Sequence, residues 1–213
     1  DIVEMVGLTR PVLVGHDTGS WVAMIGALRF PDLFSATVLV GGSAARTTDE
    51  TQSYLDLVKV PEFRARLVTQ LHVGERGQGQ ESADALAAVM SELTVKDWML
   101  PQSPEGMLSE VAHSIVMNDD GSWVHTPTLR TLENGYAYEP GPDYPDEHLY
   151  GRLRVPTYLV QLTEGYDSNL AGRERQLAAM NPLLRVEMLI SGQWPQYTAV
   201  PELAGLIARA AGA

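Results

Sequence analysis

Residues 12–19 read Val-Leu-Val-Gly-His-Asp-Thr-Gly, and the reading of this stretch decides the fold. Val12, Leu13 and Val14 form an apolar run without polar alternation, the pattern of a strand buried on both faces. Gly15 and Gly19 frame a turn, and residues 20–29 (SWVAMIGALR) then have helical composition up to Phe30-Pro31. Residues 36–40 (ATVLV) repeat the strand pattern and close on Gly41-Gly42-Ser43. Strand, tight turn, helix and strand in this order predict a parallel sheet with crossover helices. A sharp strand-to-helix turn crowds its own backbone, so Gly15 and Gly19, two positions either side of the apex, are expected to relieve it. The apex residue, Asp17, then projects from the C-terminal edge of the sheet at a helix N-terminus. Unpaired N–H groups and positive dipole at that end favour a carboxylate and a developing oxyanion.

Working outward, residues 1–8 (DIVEMVGL) read as the tail of an amphipathic helix already under way. Downstream, the character changes from residue 44 to 154. Helical stretches are predicted over 51–58, 61–71 and 82–93, with a polar, Gly-rich segment at 74–80 and no buried-strand pattern between Arg46 and Leu132. Residues 139–147 (EPGPDYPDE) cannot continue a helix because of their prolines. The sheet pattern resumes at 155–162 (VPTYLVQL), followed by a loop at 163–169, a helix at 170–180 and a strand at 184–190. A loop at 191–197 (SGQWPQY) leads to a terminal helix over 201–211, with Pro201 in its first turn. The expected organisation is an α/β core of residues 1–43 and 155–213, interrupted by a helical cap at 44–154.

Composition narrows the function classes. The 213 residues are 45 % hydrophobic and 20 % charged, as in a globular domain. A net charge of −12 without clustered Lys and Arg argues against a nucleic-acid partner. The chain has no cysteine, which excludes disulfides, thiolate metal sites and thiol nucleophiles together. No apolar stretch approaches the roughly 20 residues that span a bilayer. With no signal-peptide pattern visible, the cytoplasm is the default expectation. His113, His125 and His148 show no metal-ligand spacing, and no cofactor is expected.

Residues 12–31 (VLVGHDTGSWVAMIGALRFP) resemble the nucleophile elbow of α/β-hydrolases, in the branch of epoxide hydrolases and haloalkane dehalogenases, which use Asp where esterases and lipases use Ser. The resemblance implies an α/β-hydrolase fold, Asp17 as nucleophile, the backbone of Thr18 at the oxyanion and a small apolar substrate. It places Asp167 where the family often carries its catalytic acid, and the insertion at 44–154 where the family has its cap. Among the cap tyrosines Tyr54, Tyr136, Tyr138, Tyr144 and Tyr150, the pair Tyr136 and Tyr138, beside Asn134-Gly135, is preferred as donor to a leaving oxygen. Trp21 and Trp194 are candidate substrate contacts.

Two departures from the family pattern carry weight. Residues 192–195 read Gly-Gln-Trp-Pro where the family reads Gly-His-Trp-Pro or Gly-His-Phe-Pro, so Gln193 stands in the place of the catalytic base. An amide has no protonation equilibrium near neutral pH. Attack by Asp17 on carbon would still form an ester, but hydrolysis of that ester is expected to be impaired. The family's earlier strands, and the loop giving the second oxyanion N–H, are also absent, so a further N-terminal segment or another chain is expected to complete the sheet beside residues 11–14. Thr18 replaces the Trp that commonly follows the nucleophile and helps to bind halide, which counts against a dehalogenase. Each site residue also has a structural reading: Asp17 as a helix cap, His16 as an elbow residue pointing away from Asp17, Asp167 in an Asx-turn, Trp21 and Trp194 as packing. Two rival functions stand beside the hydrolase: a non-catalytic binder of an apolar small molecule, and a non-hydrolytic enzyme of lactone or ring chemistry.

Overall fold

The computed structural model describes residues 2–42, 48–93, 104–136, 147–165 and 173–212. In chain order the elements are α1 (Ile2–Met5), β1 (Val12–His16), α2 (Thr18–Arg29), β2 (Ala36–Val40), α3 (Thr48–Lys59), α4 (Pro61–Leu71), β3 (Arg76–Gln78), α5 (Gln80–Leu93) and α6 (Pro104–Ser114). They continue with β4 (Ile115–Met117), β5 (Ser122–His125), α7 (Leu129–Tyr136), β6 (Thr157–Glu164), α8 (Arg173–Met180), β7 (Leu184–Gly192), α9 (Pro195–Thr198) and α10 (Val200–Ala210). The chain divides into two compact units, residues 1–48 with 142–213, and residues 49–141.

The first unit holds a four-stranded sheet in the order β1-β2-β6-β7, every neighbour parallel. Continuous apolar sequence marks the two central strands: all of β2 is buried, and so is β6 from Thr157 to Leu162. Parallel strands covered on both faces need that composition. On one face Ala23, Met24 and Ala27 of α2 pack with Leu39, Val155 and Leu159. Leu149, Tyr150 and Leu153, around the 3-10 turn Glu147–Arg152, share this cluster, so that stretch belongs to the sheet-bearing unit. On the other face Val38, Val40, Tyr158, Val160 and Leu162 pack with Ala199 and with Leu206 of α10. Buried Asn181 joins the layers: its Nδ2 donates to the carbonyls of Tyr150 (2.9 Å) and Leu153 (3.0 Å), and its Oδ1 accepts the Leu183 N–H (3.0 Å).

β1 forms one edge of the sheet. Its register runs from Val12 opposite Ala36 to His16 opposite Val40, and the Asp17 N–H extends the ladder by donating to the Val40 carbonyl at 2.9 Å. Amide groups alternate sides along a strand. Those of Leu13, Gly15 and Asp17 therefore face β2, and those of Val12, Val14 and His16 face the open edge.

The second unit differs from the sequence expectation of a wholly helical insertion. Besides helices it contains a three-stranded antiparallel sheet in the order β3-β5-β4. Its strands are three or four residues long, too short to display an apolar alternation. β3 (Arg-Gly-Gln) lies in the polar, Gly-rich segment 74–80 and has no apolar side chain at all. Its place is set by Trp123 directly opposite Gly77, whose missing Cβ leaves room for the indole ring. The Trp123 Nε1–H donates to the Ser82 hydroxyl of α5 at 2.7 Å, closing a small core with Ala83, Leu86 and Met90.

The turn from β1 into α2 is confirmed as tight, but the two glycines do not share the task. A Cβ on Gly15 would lie 2.2 Å from the Gly19 carbonyl oxygen and 2.8 Å from the Ala23 Cβ. A Cβ on Gly19 would meet nothing within 4 Å. The close approach is between the last residues of the strand and the first turn of the helix, and only the strand partner loses space. Gly15→Ala is expected to destabilise the protein by about 1–3 kcal/mol or more, the scale of an overpacked site with a backbone neighbour. Gly19→Ala should be neutral or stabilising by up to about 1 kcal/mol, because Ala favours a helix over Gly. Urea unfolding of the two variants checks this, and equal losses would contradict the geometry.

Candidate active site

Asp17 is the residue between β1 and α2, at φ 50° and ψ −122°. These angles match the first central position of a type II′ turn, a place glycine dominates, and not the left-handed helical basin. Arg10 and His72 also have positive φ, but His72, at φ 51° and ψ 30°, sits in the ordinary left-handed basin of a helix end. A non-glycine residue held at angles like those of Asp17 carries about 1–3 kcal/mol of strain and persists where its surroundings over-determine it. Here the surroundings are Gly15 below it, the β2 carbonyl that takes its N–H, and Ser20.

Ser20 is fully buried. Its N–H donates to the Asp17 carbonyl at 2.9 Å, and its hydroxyl lies 3.1 Å from the Val40 carbonyl and 3.4 Å from that of Gly15. Gly42, after β2, abuts it: a Cβ there would fall 2.4 Å from the Ser20 Oγ and 3.1 Å from the Asp17 carbonyl. The elbow is thus wedged between the ends of β1 and β2. Neither Ser20 nor Gly42 has a signal of its own in the sequence beyond adjacency to the turn.

The helix-cap reading of Asp17 does not fit this geometry. An N-cap residue has extended angles and a side chain that accepts from the first-turn N–H groups. Asp17 has neither, since its side chain makes no capping hydrogen bond to α2. Asp17 itself is half-buried. Thr18, exposed, is the first residue of α2, where backbone N–H groups have no intrahelical acceptor. Trp21 is half-buried at the end of the first turn of α2.

The loop after β7 reaches the elbow. β7 runs through Gly192, and Pro195 opens the short helix α9, so less of 191–197 is irregular than the sequence suggests. Gln193 is 1 % exposed. Its Nε2 donates to the Gly41 carbonyl at 3.2 Å, beyond the end of β2. Its Oε1 lies 2.9 Å from where a Gly165 Cβ would stand, beyond the end of β6. Its backbone carbonyl accepts from the His16 Nε2–H at 2.7 Å. The ring of half-buried Trp194 lies 5.5 Å from that of His16, tilted by 58°. His16, read from sequence as an elbow residue directed away from Asp17, is the residue through which the β1 and β7 ends meet.

Asp167, Tyr138 and Tyr144 fall outside the described residues, as do the side chains of Tyr54 and Tyr136. Tyr150 is fully buried in the sheet unit's core. Of the histidines in the 44–154 segment, His125 is buried with its Nδ1 2.8 Å from the His72 carbonyl, and His113 is exposed with its Nδ1 2.6 Å from the Ser109 carbonyl. Among the described residues no group of three His, Asp or Glu could hold a metal ion, and no helix is long and apolar enough to cross a membrane.

No family model and no curated protein matches the sequence. Solved structures resemble its fold. E-2-(acetamidomethylene)succinate hydrolase superposes with a TM-score of 0.67 at 14 % identity, over 100 % of this chain and 70 % of that one. The enol-lactonase from Burkholderia xenovorans LB400 gives 0.58 at 14 % identity, over 100 % of this chain and 69 % of its own. An α/β hydrolase from Novosphingobium aromaticivorans DSM 12444 gives 0.56 at 14 % identity, over 98 % and 68 %. At such identities the likeness is one of fold. With its parallel sheet β1-β2-β6-β7 and the tight turn between β1 and α2, the chain has the α/β-hydrolase fold.

Proposed function

We propose that the protein is a hydrolase-type enzyme in which Asp17 attacks carbon, most like an epoxide hydrolase, and in which release of the resulting ester is slowed by Gln193. The observation that carries this reading is the strained backbone of Asp17 at the strand–helix apex, with a carboxyl group that caps nothing. Carboxylate chemistry favours an alkyl over an acyl substrate. Attack on a saturated carbon gives a stable ester, whereas attack on an acyl group gives a mixed anhydride. The three structural neighbours named above as a hydrolase, an enol-lactonase and an α/β hydrolase share the fold, but none of their names carries a substrate across to an Asp nucleophile.

In the proposed first step an Asp17 oxygen bonds to an epoxide carbon, the ring C–O bond breaks, and the alkoxide takes a proton. The family resemblance gives that donation to Tyr136 and Tyr138, the oxyanion to the Thr18 N–H, and substrate contact to Trp21 and Trp194. In the second step water adds to the ester carbonyl, a base takes its proton, and the diol leaves with Asp17 regenerated. Gln193 cannot take that proton, and its amide is engaged with the Gly41 carbonyl. The same engagement favours a second reading, a non-hydrolytic catalyst of ring or lactone chemistry. In that case the carboxylate acts without an ester to hydrolyse.

A further strand, from a segment of the same protein outside these residues or from another chain, is proposed to cover β1. The outward amides of Val12, Val14 and His16 support this, as does the 42 % exposure of Val14 in a run otherwise suited to burial. Residues 1–213 alone should self-associate on size exclusion, and in the dilute monomer the amides of Val14 and His16 should exchange fast. A monodisperse monomer with both amides protected would contradict the proposal.

The catalytic reading has two checks. Gln193→His should raise hydrolysis of a panel of epoxides by about 10²–10⁴-fold, the usual worth of a general base. A well-folded variant without a gain on epoxides, alkyl halides or esters would contradict it. Asp17→Asn, added to Gln193→His, should abolish that turnover while shifting stability by no more than about 1 kcal/mol, since only the carboxylate's attraction to the helix end is lost. A larger loss in thermal melts would return Asp17 to a structural role.

A further inference from the structure

We infer that His16 is a positioning residue: its Nε2–H, donated to the Gln193 carbonyl, holds the loop after β7 against the elbow and sets where residue 193 stands relative to Asp17. The two ends of this bond are 177 residues apart, so no local turn brings them together. A carbonyl oxygen only accepts, which requires the proton on Nε2. At 2.7 Å the bond is short for its type, and the Trp194 ring packs beside the imidazole.

Residue 193 is tied through its main chain by His16 and through its side chain by Gly41. Other contacts fix the loop to its own strand neighbours: the Ser191 N–H to the Thr163 hydroxyl at 3.3 Å, the Ser191 hydroxyl to that of Thr198 at 2.7 Å, and the Thr198 hydroxyl to the Trp194 carbonyl at 3.2 Å. These bonds orient the loop against β6 and against itself, whereas the His16 bond reaches β1 and the residue next to Asp17. When the side chain at 193 is exchanged, its tie to Gly41 goes with it. The main-chain tie from His16 remains, because it does not depend on the identity of residue 193. A side chain placed there to act on an ester at Asp17 would therefore inherit its position from His16.

The structural part of this inference stands without any catalytic assignment; the kinetic part rests on the proposed function. His16→Gln places an amide N–H near the Nε2 position, while His16→Asn is too short to reach. Hydrogen exchange of the unaltered residue-193 protein, read over the segment 191–198, should rise about tenfold in His16→Asn and return near the parent value in His16→Gln. Global melting temperatures should stay alike. Equal exchange in the two variants would overturn the inference. Should His16→Asn fail to fold, the parent protein serves: the His16 Nε2–H should be visible by NMR as a proton slow to exchange with solvent, and a rapidly exchanging one would overturn the assignment. In the Gln193→His background, His16→Asn should lower kcat with little change in KM, and His16→Gln should restore it. Absent turnover in that background contradicts the proposed function while the exchange experiment still decides the role of His16.

Discussion

The close approach of Gly15 to the carbonyl of Gly19 is the constraint on which the rest of the site depends. Because no Cβ stands there, the chain can leave β1 and enter α2 within one residue, and that residue must take the turn's unfavourable angles. Asp17 takes them. Its N–H is drawn into the sheet by Val40, its carbonyl is bound by Ser20, and Ser20 in turn is boxed in by Gly42. Strain of about 1–3 kcal/mol is set against a buried, hydrogen-bonded frame from two strand ends and a helix. What emerges is a carboxyl group at a helix N-terminus whose backbone is fixed without the side chain taking part.

The second organising feature is convergence. Parallel strands bring their C-terminal ends to one edge of the sheet, and in this fold the segments after β1, β2, β6 and β7 meet there. Gln193 joins the end of β1, through the bond its carbonyl accepts from His16, to the segment after β2, through its amide on Gly41, and its Oε1 lies beside Gly165 after β6. A histidine at this place would have its ring where a buried amide now bridges backbone groups. On the proposed reading, Gln193 supplies a structural tie where ester hydrolysis would need a titrating group, which is why attack and hydrolysis are expected to separate.

The two central strands of the main sheet were legible in the sequence because parallel strands buried on both faces are written as largely apolar runs. The ATVLV run of β2 was read with its full extent, and β6 and β7 to within two residues. The glycine-framed turn was legible as well, although its chemistry assigned equal roles to Gly15 and Gly19, and only the folded backbone decides which of the two would crowd a Cβ. The small sheet of the second unit was not legible. Three-residue strands such as Arg76–Gln78 owe their place to one partner, Trp123, rather than to any pattern of their own. The bond from His16 to Gln193 was equally hidden, since a single histidine before the apex carries no sign of a partner near the other end of the chain.

The central claim is that Asp17 is a carbon nucleophile whose ester accumulates because residue 193 is not a base. Incubating the unaltered protein with a reactive small epoxide, followed by intact-mass measurement and peptide fragmentation, tests it most directly. The account predicts a stoichiometric mass gain equal to one whole epoxide, located on Asp17 and persisting for hours at neutral pH. No adduct with any of a panel of epoxides, or an adduct on another residue with Asp17 unmodified, would contradict it.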